Sequence, residues 1–126
     1  MKKRITHDFT KLAVWHRALQ LASDIAKLAK APAWRDAAGL RNQIRDSSQS
    51  TGANVAEGAR AGSPVQFARF LGIAIASASE TQHHLAFARR IDLLSEEQYS
   101  ALDRENTEIR RMLIGLQRQQ DGKGRD

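Results

Sequence analysis

Gln43–Gly58, QIRDSSQSTGANVAEG, is the stretch that decides the fold of this chain. Gln43, Ser47, Ser50, Asn54 and Glu57 recur at spacings of four, three, four and three, the interval that lines side chains along one face of a helix. A neighbouring line carries Leu40, Ile44, Thr51, Val55 and Gly58. Side chains this small let a second helix come close, and their amide, hydroxyl and carboxylate groups need partners once buried. A structural polar network is therefore expected, completed by Ser77, Glu80 and His84 of a later helix facing this one. Ser, Thr and Gly lower intrinsic helix propensity, so packing must hold the segment together.

Outward from this segment, three further helices are expected. The first spans about 10–31 and is ended by Pro32. Its apolar residues form two adjacent heptad lines, one through Leu12, Trp15 and Leu19 and one through Val14, Ala18 and Leu21, a face wider than a coiled-coil seam. The central helix spans about 36–60 and stops at Ala61-Gly62. Ser63-Pro64-Val65-Gln66 supplies a capping Ser, a first-turn Pro and a Gln three residues after the cap, which starts a helix over 64–90. Ser95-Glu96-Glu97-Gln98 repeats the pattern and starts a helix over 96–119. No run of alternating β-branched residues competes. The expected fold is all-α: a single domain over 1–126, an antiparallel up-down-up-down four-helix bundle with a short basic N-terminal arm and a polar C-terminal tail.

Composition narrows the function classes. The absence of cysteine removes disulfides, thiolate metal sites and cysteine nucleophiles, and fits a reducing compartment. Nothing is apolar for long enough to be a signal peptide or a membrane span, so a cytoplasmic protein with no membrane partner is expected. Glu80-Thr81-Gln82-His83 has the Glu-x-x-His spacing by which helical bundles hold two metal ions. A second copy and two further glutamates are required, and no second copy exists, so no metal or other cofactor is expected. The serines of the central helix lack a spaced His and acid to activate them. Gly52, Gly58 and Gly62 lack the strand and the Lys-Ser/Thr ending of a phosphate loop. The chain is not expected to be an enzyme.

Lys and Arg number 20 against 14 Asp and Glu, a formal charge of +6, which raises the prospect of an anionic partner. Its placement matters more than its total. In an antiparallel bundle Lys2, Lys3, Arg4, Lys11, Arg60, Arg69, Arg111 and Arg118 fall at one end and form a candidate nucleic-acid-binding set. At the other end Lys27, Lys30, Arg35, Arg89 and Arg90 are mixed with Asp36, Asp92, Glu96 and Glu97. Apolar surface is also in excess: Phe67–Ala78, FARFLGIAIASA, carries Arg69 as its one charge, whereas the last helix has a narrow stripe through Tyr99, Leu102, Ile109, Leu113 and Leu116. Association with copies of itself is the economical use of that excess.

Phe9, Leu12, Val14, Trp15 and Ala18, then Gly39-Leu40, Gln43-Ile44-Arg45, Ser50 and Asn54-Val55-Ala56-Glu57-Gly58, then Phe67, Arg69-Phe70-Leu71, Ile73-Ala74, Ser77 and Glu80 resemble one known family. It is the four-helix-bundle family of 23S rRNA intervening-sequence proteins, which includes the accessory variability determinant proteins of diversity-generating retroelements. The resemblance covers roughly 9–94, and Gln43-Ile44-Arg45 with Asn54–Gly58 is its specific part. Asp46, Thr51-Gly52 and Ala38 depart from the family pattern. The resemblance implies a cytoplasmic homopentamer without enzymatic activity. In the retroelement branch it implies a basic accessory subunit that engages a reverse transcriptase and RNA or DNA. The alternative kept open is a helical protein-assembly scaffold with no nucleic-acid role.

Overall fold

The computed structural model describes residues 6–124. Four helices pack against one another, α1 Ala13–Leu28, α2 Ala38–Arg60, α3 Pro64–Arg90 and α4 Glu96–Gly124, and no strand occurs among the described residues. Short 3-10 turns, Phe9–Lys11 and Pro32–Ala37, precede α1 and α2.

Local chemistry sets the start of α3 and α4. Ser63 Oγ accepts from the Gln66 backbone N–H at 3.2 Å ahead of Pro64, and α3 runs over the expected 64–90. Before α4, Ser95 Oγ accepts from the Gln98 N–H at 3.1 Å while Gln98 Oε1 accepts from the Ser95 N–H at 2.9 Å, a reciprocal capping box. Gly62, at φ 89°, makes the left-handed turn between α2 and α3 that a side chain would strain.

Tertiary packing moved the other ends. The first helix, expected over 10–31, begins at Ala13 because Leu12 is extended, and it ends at Leu28, short of Pro32. The second begins at Ala38 rather than 36, because the 3-10 turn before it drives Trp34 into the core, 2 % exposed, against Ile25, Ile44, Leu85 and Leu102. The fourth continues past 119 to Gly124, with Gln120 buried and Gly124 close to Val65 at the start of α3.

Neighbouring helices share one core. α2 lies against α1 and α3, and α4 lies against α3 and α1, whereas α1 and α3 do not pack on each other. Ile25, Ile44, Val55, Phe67, Leu71, Leu85, Ile109 and Leu113 fill the centre, each burial stabilising by about 1.5–3 kcal/mol. The small residues of α2 do let its neighbour approach. A Cβ added at Gly58 would sit 2.9 Å from Phe67 Cδ1, 2.9 Å from Phe70 Cβ and 3.3 Å from the Phe67 carbonyl oxygen. Only glycine fits there.

Candidate nucleic-acid interface

The polar seam and the basic end are the two places where side chains of chemical interest gather. Along the α2–α3 seam, Ser50 Oγ and Ser77 Oγ are hydrogen-bonded at 2.8 Å, and Asn54 Nδ2 donates to Ser50 Oγ at 3.0 Å and to the Ser50 carbonyl at 2.9 Å. One turn further along, Thr81 Oγ1 lies 2.9 Å from both Ser47 Oγ and the Ser77 carbonyl, so its hydroxyl serves one and leans on the other. Ser47, Ser77 and Thr81 are buried and Ser50 and Asn54 half-buried. These groups satisfy one another inside the chain, which suits a structural joint.

Three expected members of that network stand apart from it. Gln43 and Glu57 are exposed and, among the described residues, make no hydrogen bond to α3. Glu80 is 59 % exposed in its side chain and turns back along its own helix to His84 Nε2, 3.4 Å away. The seam is thus narrower than its sequence pattern, because long side chains at its edge reach water at no cost in desolvation. Thr81, fully buried at its centre, was missed; its four-residue spacing from Ser77 was the available signal. Among the described residues no three His, Asp or Glu side chains gather closely enough to hold a metal ion, and His83 merely abuts the His84 ring.

Contacts at the other feature draw the chain segments together. The His7 N–H donates to the Ala59 carbonyl at 2.8 Å, joining the segment before α1 to the end of α2, and the His7 ring lies 5.4 Å from that of Phe67 at the start of α3. Gln117 Nε2 donates to the Ala68 carbonyl at 3.2 Å, bringing the late part of α4 to the same place. Lys11, Arg60, Arg69 and Arg118 each lie within four residues of a member of this cluster, and all four are exposed. Arg69 stands over the Phe70 ring, 5.6 Å from its centre, with Gln66 Oε1 3.4 Å from its guanidinium. Arg111 is exposed two turns down α4 and reaches Glu108 at 3.7 Å. Lys2, Lys3 and Arg4 lie outside the described residues.

The charge at this end is positive but not uniform. A shallow pocket of about 610 Å³ is lined by Thr6, His7, Asp8, Phe9 and Arg60. The Thr10 hydroxyl, and then its backbone N–H, hold the Asp8 carboxyl below the usual carboxylate range, so an anion stays beside Arg60 at neutral pH. Exposed Arg104 falls seven residues before Arg111, which falls seven before Arg118, so one face of α4 repeats a guanidinium about every 10 Å. Arg104 was not among the expected contacts, though the heptad spacing carried the signal. At the far end Arg89 is engaged by Glu96 at 3.0 Å and Asp92 at 3.5 Å, and that Arg89 contact, with a smaller one from Ser100, lowers the Glu96 pKa. One arginine at each end is thus engaged by acidic neighbours, Arg111 by Glu108 and Arg89 by Glu96 and Asp92, so the ends do not differ in pairing.

A family model of "23S rRNA-intervening sequence protein" matches residues 10–115. Among solved structures, one described as a protein with unknown function from the S23 ribosomal protein family of Bacteroides thetaiotaomicron VPI-5482 superposes with a TM-score of 0.76. It is 30 % identical over 82 % of this chain and 97 % of that one. No curated protein matches the chain. No described helix is long and apolar enough to cross a membrane.

Proposed function

This chain belongs to the family of 23S rRNA-intervening sequence proteins, and from that premise we propose that it is a non-enzymatic, oligomeric accessory protein of the cytoplasm whose basic end binds nucleic acid or an enzyme that handles it. The observation that carries this reading is the exposure of Lys11, Arg60, Arg69 and Arg118 around the contacts that join His7, Ala59, Phe67, Ala68 and Gln117. An antiparallel up-down order of the helices is part of the proposal. Its support is that partners rise along one helix as they fall along the next: Ser47 with Thr81, Ser50 with Ser77 and Gly58 with Phe67, then Ala68 with Gln117 and Ala78 with Asn106.

Phosphate contact by exposed Lys and Arg positions a polyanion without selecting its sequence, and the rings beside these groups, His7, Phe9 and Phe70, are half-buried rather than displayed as an exposed stacking platform. Binding is accordingly sequence-tolerant and steeply salt-dependent. Fluorescence anisotropy of labelled RNA and DNA oligonucleotides across a salt series tests it. Reversing Arg60 and Arg111 together should weaken binding far more than reversing Lys27 and Arg90, and should flatten the logarithmic salt slope by about 0.7–0.9 for each phosphate no longer engaged. Equal weakening by both pairs would mean diffuse electrostatics. Absence of binding near about 50 mM salt, where such interactions are strong, would leave the protein-scaffold alternative.

A further inference from the structure

The outer face of α4 carries a row of charge of one sign. Every fully exposed charged side chain between Gln98 and Gln120 is an arginine: Arg104, Arg111 and Arg118. The acids of the same stretch sit lower. Asp103 has its Oδ1 buried, Glu105 accepts from Arg17 Nε of α1 at 3.1 Å, and half-buried Glu108 reaches Arg111 from the flank at 3.7 Å while leaving the Arg111 side chain 74 % exposed. Seven residues apart, the guanidinium groups stand in a nearly straight line, about 10 Å from one to the next and about 21 Å from first to last. Exposed Glu97, seven residues before Arg104, and exposed Asp121, three after Arg118, bracket the row.

The make-up of this face says what it fits. Among the described residues the large apolar side chains left exposed, Leu19, Val65, Ile73, Phe87 and Ile91, all lie off α4. Exposed Ala101, Gly115 and Gly122 stand beside the arginines with little or no side chain to hold a ligand away. A protein partner needs an apolar or aromatic anchor at the centre of its contact. A row of guanidinium groups without one suits a phosphate backbone. The straightness of the row selects the form of that backbone. A duplex winds once in about 34–36 Å, so over about 21 Å a strand that meets Arg118 turns through more than half a circle and has left the row before Arg104. A single strand is free to follow all three.

We infer that single-stranded nucleic acid lies along the outer face of α4, its phosphates held in turn by Arg118, Arg111 and Arg104 as the strand leaves the basic end. This rests on the nucleic-acid reading above and deepens it by naming the form of the nucleic acid and a contact, Arg104, about 21 Å along α4 from Arg118. Exposed Glu97 occupies the next position of the seven-residue repeat, so the row ends in a charge that repels phosphate and the strand departs there.

The test is fluorescence anisotropy across a salt series, with the full chain and two probes: a labelled oligothymidylate, which forms no duplex with itself, and a duplex of the same length. Arg104→Glu is compared with Arg45→Glu. Arg45 is exposed on α2, which does not pack on α4, and it stands at about the same height in the bundle, since Ser47 is bonded to Thr81 and Asn106 to Ala78. Each variant exchanges one positive charge for one negative, so a loss confined to R104E is local. Single-strand affinity should fall at least about fivefold in R104E at about 0.1 M salt, with the logarithmic salt slope flattened by about 0.7, and should change less in R45E. Arg104→Ala should flatten the slope alike and serves if circular dichroism shows R104E misfolded. The duplex should lose no more from R104E than from R45E. A wild type that binds neither probe overturns the nucleic-acid reading and this inference with it. A single strand weakened equally by R104E and R45E overturns the inference alone. So does a wild type that binds only the duplex, or a duplex weakened by R104E as much as the single strand.

Discussion

Replacing Gly58 by Ala sets two effects of opposite sign against each other at one position. In the interior of a helix, Gly to Ala gains about 1 kcal/mol from backbone entropy and propensity. At Gly58 the new Cβ meets Phe67 Cδ1 and Phe70 Cβ at 2.9 Å and the Phe67 carbonyl at 3.3 Å. A ring edge can swing aside, but Phe70 Cβ and the carbonyl are tied to the backbone of α3, so relief requires the two helices to separate. Overpacking of that kind costs about 1–3 kcal/mol or more, and the separation also loosens Phe67 in the core. With that gain subtracted we expect a net loss of up to about 2 kcal/mol, a fall in Tm of up to roughly 8 °C for a chain of this size. Gly115→Ala is the control, because a Cβ there meets nothing within 4 Å in mid-helix and should raise Tm by a few degrees. The assay is thermal unfolding followed by circular dichroism at one fixed protein concentration, since association shifts Tm by mass action. G58A melting at or above the wild type would refute the close approach of α2 and α3.

Other substitutions separate the parts of the polar seam and of the surface. Thr81→Val should cost about 1 kcal/mol by removing a fully buried hydroxyl shared with Ser47 and Ser77, whereas Glu57→Leu should stay within about 0.5 kcal/mol, both read by urea denaturation. Arg17→Ala breaks a forked contact with Glu105, but with side chains 40 % and 34 % exposed the destabilisation should stay below about 1 kcal/mol and shrink further in high salt. Glu96 has its pKa lowered chiefly by Arg89, so its contribution to stability is present above its ordinary value and fades as pH falls through the folded one. Glu96→Gln should thus melt closer to the wild type in acid than at pH 7, and a gap that widened in acid would contradict that sign.

Where sequence predicted structure well, the governing interactions were local. Ser63, Pro64 and Gln66 fix the start of α3 within four residues, and Ser95 with Gln98 does the same for α4. The misplaced ends depend on distant partners: Trp34 shortens the approach to α2 because Leu85 and Leu102 receive its ring, and buried Gln120 draws α4 onward. The polar seam shows the same division. A line spaced four, three, four and three keeps all five residues within about 80° of one another on a 3.6-residue helix, so direction does not distinguish Ser47 and Ser50, which bond to α3, from exposed Gln43 and Glu57; the longer side chains at the two ends of the line extend to water instead. Thr81 is flanked in sequence by Glu80, Gln82 and His83, which read as solvated surface, and only the partner helix shows that its hydroxyl is buried against Ser47. For the basic set, count and sign were legible in sequence. Which cations are held by acidic neighbours was not, since the Arg89–Glu96 contact crosses from α3 to α4 and only the packed helices show it.

The proposed assembly and the basic end have a joint consequence for affinity. Copies that associate would each present Lys11, Arg60, Arg69 and Arg118, all toward one rim if the ring is cyclic. A polyanion engaged by one end then meets the next at high effective concentration, so weak single-copy interactions sum to avidity. The salt slope would reflect the phosphates engaged by all the copies together, not by one chain. Dilution below the concentration at which light scattering shows the copies to separate should consequently lower both affinity and slope. A full slope retained by the dissociated chain would mean that one copy holds the whole footprint, and that assembly serves some purpose other than gathering charge.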